Sequence, residues 1–172
     1  MNRNDDILIR PVQLTDVESF HAYSEVVAHE RRYWGKTEPR TLAELRDWIG
    51  AAAQRGTPFL VAMHGDTLVG DAHLAVPRLE GHTHLGALGM GLLPAYRGRG
   101  LGLSLLTAVV TSGWAFGLTR IELQAYGSNT LAIALYERFG FRHEGRRRHA
   151  RFLDGEYDDA VLMSLLRDEV LA

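Results

Sequence analysis

The stretch Arg97-Gly98-Arg99-Gly100-Leu101-Gly102 sets three alternate glycines and two arginines between an apolar run ending at Pro94 and a long apolar-periodic segment at 103–116. Few folds suit such a segment. Glycine lets backbone approach a ligand closely, and the first N–H groups of a helix have no intrahelical partner, so a glycine loop entering a helix presents donors to an anion. Arg97 and Arg99 add charge that suits phosphate. The same residues also make an ordinary glycine-rich turn, and only their setting separates the two readings.

That setting alternates strand and helix signals. Residues 7–10 read as a strand ended by Pro11, and Thr15-Asp16 supplies an N-cap for a helix with Val17, Phe20, Tyr23 and Val27 on its apolar face. After a polar segment at 29–40, Thr41 and Glu44 form a capping box for a second helix carrying Leu45, Trp48, Ile49 and Ala52, which Gly56 ends. Residues 58–64, 67–76 and 85–93 are strand-like, separated by Gly65-Asp66 and Gly81-His82, and are expected to form an antiparallel meander. Gly102, Leu105, Leu106, Val109, Gly113 and Phe116 recur at helical spacing. A fifth strand follows at 121–125, and Asn129 caps a short helix stopped by Gly140. Phe141 then opens a run toward Phe152 that turns at Asp154-Gly155 into 157–166. The expected order is βααβββαβαββ, an α/β (α+β) arrangement with a mixed, mostly antiparallel sheet of about seven strands flanked by four helices.

With 172 residues, 46% of them hydrophobic, the chain is sized for one core, and 1–172 is read as a single domain. A formal net charge of -2 argues against a general nucleic-acid binder, which needs a basic excess. Absence of cysteine excludes disulfides, cysteine zinc sites and an acyl-cysteine intermediate. The opening Asn2-Arg3-Asn4-Asp5-Asp6 does not resemble a signal peptide, and no apolar run approaches the roughly 20 residues of a membrane helix. A soluble, cytoplasmic protein with no membrane partner is expected.

These residues resemble the GNAT superfamily of N-acetyltransferases, in which a meander strand leads into an Arg/Gln-x-x-Gly-x-Gly/Ala loop and a helix. Arg97, Gly100 and Gly102 match that pattern position for position, and Asn129-Thr130-Leu131-Ala132-Ile133-Ala134-Leu135-Tyr136-Glu137-Arg138-Phe139-Gly140-Phe141 is similar to the second signature. The resemblance runs from Ile7 through the carboxy-terminal hairpin. Gly155-Glu156-Tyr157, Asp159 and Met163 look most like the ribosomal-protein alanine, amino-acid and polyamine acetyltransferase branch. It implies transfer of an acetyl group from acetyl-CoA to a primary amine (of a small molecule, amino acid, polyamine or protein amino terminus) by direct attack in a ternary complex.

By the same resemblance, the backbone of Arg97, Gly98, Arg99, Gly100, Leu101 and Gly102 holds the coenzyme A diphosphate, and Met90-Gly91-Leu92-Leu93 pairs with pantetheine. The Leu92 amide then faces the thioester oxygen. Asn129 and Tyr136, seven residues apart on one helix face, contact the cofactor, and Tyr136 protonates the departing thiolate. Gly89 and Gly91 fit a strand that is bulged or closely approached.

The base does not carry over: where some relatives place a glutamate on the fourth strand, this chain has Ala87 or its neighbours. Glu122 on the fifth strand is the candidate taken forward, with His82, His84, Glu30 and His29, or a water chain, as alternatives. His82-x-His84 would put two imidazoles on one strand face, with His73 elsewhere, but no third ligand accompanies them and no metal is expected. Arg142, Arg146, Arg147, Arg148 and Arg151 read as a solvated sheet face with Asp154, Glu156, Asp158 and Asp159 as partners. The loop bearing Tyr33, Trp34 and Glu38 is the better candidate for acceptor recognition.

A dinucleotide fingerprint fails because Leu103 stands where glycine or alanine is required, and a phosphate-binding lysine is missing, Lys36 being the only lysine. The remaining alternative is a non-catalytic acyl-CoA-binding regulatory module on the same fold. The last hairpin offers a surface for a homodimer.

Overall fold

Caps and turn residues set most element boundaries. The computed structural model describes residues 6–170, so Asn2, Arg3, Asn4 and Asp5 of the opening lie outside the described residues. The elements are β1 (Ile7–Pro11), α1 (Val17–His29), α2 (Leu42–Arg55), β2 (Phe59–His64), β3 (Thr67–Ala75), β4 (Leu85–Leu92), α3 (Leu101–Phe116), β5 (Arg120–Tyr126), α4 (Thr130–Phe139), β6 (Arg142–Leu153) and β7 (Glu156–Leu166). A one-turn α5 (Arg167–Val170) adds a fifth helix to the four expected. At the start of α2, Thr41 and Glu44 bond reciprocally as the capping box requires, and Gly56 closes the helix at φ 63°.

Asp16 departs from the expected cap. A 3-10 turn at Leu14–Asp16 precedes α1, and the Asp16 carboxylate, instead of capping, accepts two 2.7 Å hydrogen bonds from Arg10 and one of 2.7 Å from the Gln13 amide. A bidentate guanidinium is the stronger partner.

The seven strands form one sheet in the order β1-β2-β3-β4-β5-β7-β6, antiparallel throughout except for the β4–β5 pair. Period-2 alternation divides the core. Leu60, Ala62, Ala72, Leu74, Leu88, Ile121 and Leu123 pack under α3 and α4 on one face. Phe59, Val61, Met63 and Leu68 pack under Val17, Phe20 and Tyr23 of α1 and Leu45 and Ile49 of α2 on the other. No helix among the described residues is long and apolar enough to cross a membrane.

Candidate active site

The parallel ladder joins β4 to β5 only through Leu85–Arg120, Gly86–Ile121 and Ala87–Glu122, although the strands run on to Leu92 and Tyr126. Beyond Ala87 the two are open to each other. On the other edge of β4, Gly70 pairs with Leu92 and the Leu93 amide donates to the Val69 carbonyl, so hydrogen-bond alternation turns the amides of Met90 and Leu92 away from β3, into the opening. The β3–β4 register is unbroken from Leu92 to Ala87. Gly89 and Gly91 therefore mark close approach by neighbours and not a bulge.

At the end of β4 the chain makes a 3-10 turn at Pro94–Tyr96, takes left-handed φ at Gly98 (69°) and Gly100 (87°), and enters α3. The opening amides of that helix have no partner within it and carry its positive dipole end, an arrangement that fits a diphosphate. Arg97 differs from expectation. Its guanidinium meets both Glu30 oxygens at 2.9 and 2.6 Å and donates to the Leu92 carbonyl at 2.9 and 2.7 Å. Its charge is engaged inside the protein, bracing the end of β4 against the end of α1. Arg97→Gln should cost about 1–3 kcal/mol, since the Leu92 carbonyl loses a charged donor, and urea unfolding will read it.

Tyr136 lies under α4 in the core, 8% exposed, 5.7 Å from the Phe141 ring. Burial pushes its phenol up to about 12. Asn129 caps α4 through Oδ1, which accepts from the Ala132 amide at 3.3 Å. Glu122 is placed beside the last paired residue of β4 and is held by Arg120 at 3.1 Å. Arg120 also grips Glu144 at 2.7 and 2.5 Å, and Ser164 donates to Glu144 at 2.6 Å. Arg120, then Ser164, pushes the Glu144 carboxyl down from 4.5 to about 2. A depressed folded pKa stabilises above the unfolded value and is lost as pH falls from about 4.5 toward 2. Glu144 is 42% exposed, so screening holds the contribution to about 1 kcal/mol or less. Glu144→Gln should flatten that acid loss in a pH series of urea midpoints.

The α1/α2 face of the opening is polar. The Arg151 guanidinium lies 3.9 Å from the centre of the Tyr126 ring and pairs with Asp158 at 3.3 Å, and among the described residues its Nη1 is buried with no hydrogen-bond partner. Arg147 reaches Gln124, while Arg146, the register partner of Val161 and so on the opposite sheet face, pairs with Asp159 at 2.7 Å. Arg146, Arg147 and Arg151 of β6 are thus partnered by β5 and β7, Arg142 pairs with Glu169 of α5 at 2.8 Å, and the ladder is irregular between Arg147 and Arg151. Over this floor runs the loop bearing Tyr33, Trp34 and Glu38. Arg31 joins that loop to Asp154 in the β6–β7 turn at 2.7 Å, and a Cβ on Gly35 would lie 3.9 Å from Tyr126 Oη.

His82 and His84 are not on a strand. Gly81 (φ 79°) and the turn bonds His82 N–H to Leu79 and Leu85 N–H to His82 keep them in the loop before β4. Among the described residues no group of three or more His, Asp or Glu side chains is gathered to hold a metal.

His73 stands apart from them, on β3. The spacing Asp71-x-His73 puts both side chains on the α1/α2 face. His73 Nδ1 lies 3.0 Å from Asp71 Oδ2, and the Tyr23 hydroxyl donates to Asp71 Oδ1 at 2.8 Å. Burial, then the Asp71 charge, holds the Tyr23 phenol well above its ordinary value, so it stays a donor. Period-2 spacing was the available signal for this pair; what it meets across the sheet was not readable.

The family model described as acetyltransferase (GNAT) family matches residues 23–141. An L-methionine sulfoximine/L-methionine sulfone acetyltransferase of Pseudomonas paraeruginosa is 28% identical over 163 residues, covering 93% of this chain and 94% of that protein. An L-amino acid N-acetyltransferase of Escherichia coli is 25% identical over 167 residues, covering 94% and 99%. A GNAT superfamily phosphinothricin acetyltransferase of Sinorhizobium meliloti, solved in complex with AcCoA, aligns with a TM-score of 0.87 at 21% identity over 94% of this chain and 88% of that one. With a family model spanning the chain from α1 to the start of β6, and the glycine loop lying inside that match, the chain belongs to the acetyltransferase (GNAT) family.

Proposed function

We propose that the protein is an acetyl-CoA-dependent N-acetyltransferase whose acceptor is the primary amine of a small amino acid. The observation that carries the reading is the open β4–β5 edge, with the Met90 and Leu92 amides turned into it and the glycine loop at the start of α3 beyond its end. Bound acetyl-CoA supplies the activated acyl group. The amides of Gly98, Arg99, Gly100, Leu101 and Gly102 cradle its diphosphate, and Leu92 and Leu93 flank its pantetheine arm. The Leu92 amide donates to the oxygen on which negative charge develops as the amine attacks the thioester carbon. Tyr136 gives its proton to the leaving thiolate, and Asn129 fixes the start of the helix that carries it.

The acceptor class follows from the floor of the opening. Glu122 and Glu144 share Arg120, Asp158 faces Arg151, and Arg147 meets the neutral Gln124, so three arginines balance three carboxylates and Arg147 is the one whose partner there carries no charge. A polyamine calls for unpaired acid, whereas an amino acid brings its own carboxylate to such a floor. The named substrates of the Pseudomonas and E. coli relatives agree with this.

Thiol release measured across amino acids, polyamines and peptides is expected to be fastest with amino acids. Acetyl-CoA binding without thiol release for any amine would favour the non-catalytic module.

A further inference from the structure

Resting on the acetyltransferase reading, we propose that His73 is the general base of the transfer, positioned by Asp71 and Tyr23. The sequence offers no carboxylate on β4: its inward positions on the α1/α2 face are Ala87, Gly89 and Gly91. Two of these are filled from outside. A Cβ on Gly89 would lie 2.5 Å from both Cε1 and Nε2 of His73, and a Cβ on Gly91 would lie 2.5 Å from the Tyr23 hydroxyl. The imidazole therefore leans over the strand whose next residues turn their amides into the opening. Gly89 is the register partner of His73, and Gly91 that of Asp71.

The array fixes the tautomer. Asp71 is 2% exposed; a carboxylate there that takes the Tyr23 hydroxyl on one oxygen accepts an Nδ1–H from His73 on the other, which leaves the Nε2 lone pair directed at β4. Trp48 stands edge-on to the ring at 4.7 Å and Phe59 lies at 5.2 Å, so the imidazole is packed in one orientation. The side chain keeps 23% exposure and borders a hollow of about 130 Å³ shared with Trp48, Phe59 and Arg55, a route by which a proton leaves. The other charged groups are committed elsewhere. Arg40 covers Trp48 at 4.6 Å, Arg55 donates to the Val76 carbonyl, Glu30 and Arg97 pair with each other, and Glu122 pairs with Arg120.

In the step, Nε2 takes a proton from the acceptor ammonium and passes it to solvent. The freed amine forms the C–N bond as the C–S bond breaks. The second proton shed by nitrogen balances the one that Tyr136 gives to the thiolate, so acetyl-CoA and ammonium yield amide, coenzyme A thiol and one proton.

The test uses the full chain and an acceptor series. His73→Gln is expected to lower kcat about 100-fold or more for a strongly basic alkylamine and much less for an amine already neutral at the assay pH, with acetyl-CoA affinity unchanged. Asp71→Asn, which no longer fixes the tautomer, should show the same dependence on acceptor basicity, and added imidazole should restore turnover to His73→Gly. A merely structural histidine would lower all acceptors alike and give no imidazole rescue. Equal loss for all acceptors, or no loss in a folded His73→Gln, overturns the assignment. If the unaltered protein binds acetyl-CoA but acetylates no amine, the acetyltransferase reading itself falls, and the base assignment with it.

Discussion

Replacing Tyr136 by phenylalanine is expected to lower turnover about 100–1000-fold while leaving acetyl-CoA affinity and folding stability unchanged. The ring is almost fully buried against Phe141 in the α3/α4 core, and phenylalanine fills the same volume. Only the hydroxyl is lost. Burial holds its pKa at about 12, so the group carries its proton at any pH at which the enzyme is assayed and serves as a donor, not a base. Single-turnover thiol release, with acetyl-CoA binding followed by calorimetry, separates the two effects. Unchanged thiol release would remove Tyr136 from the chemistry.

Gly91→Ala should destabilise the protein by about 2–4 kcal/mol, because a methyl 2.5 Å from the Tyr23 hydroxyl meets a ring that is 2% exposed and cannot withdraw. Displacing that ring also breaks the bond to Asp71, itself buried. These costs outweigh the roughly 0.4–1 kcal/mol that alanine gains over glycine through the unfolded chain. Thermal unfolding should shift down by roughly 5–15 °C for a chain of this size. Adding Tyr23→Phe relieves the clash but leaves Asp71 Oδ1 unpaired, so the double variant should recover only part of the loss, and a mutant cycle will show the coupling. A Gly91→Ala protein as stable as the parent would mean that β4 does not need its bare strip.

Local signals were legible where a residue acts on its own neighbours. The Thr41–Glu44 box, the stops at Gly56 and Gly140, the Asn129 cap and the turn at Asp154-Gly155 each involve partners within a few residues, and each is in place. Asp16 was read as a cap because its competitor, Arg10, lies on a strand. The histidines at 82 and 84 were assigned to a strand that begins one residue later. Arg97 was assigned to phosphate because Glu30, 67 positions away in sequence, becomes its neighbour only when α1 lies against the end of β4.

The sequence by itself determined the order of strands and helices, the meander, and the glycine loop at the head of α3, because periodicity, capping and positive φ are properties of short segments. Tertiary structure decided how that loop is used and what surrounds it. Only the folded sheet opens β4 from β5 beyond Ala87, turns Arg97 inward, and lays His73, Asp71 and Tyr23 across two glycines of the facing strand. Those arrangements depend on register between strands and on which charge reaches which partner first, and both are fixed by packing at a distance.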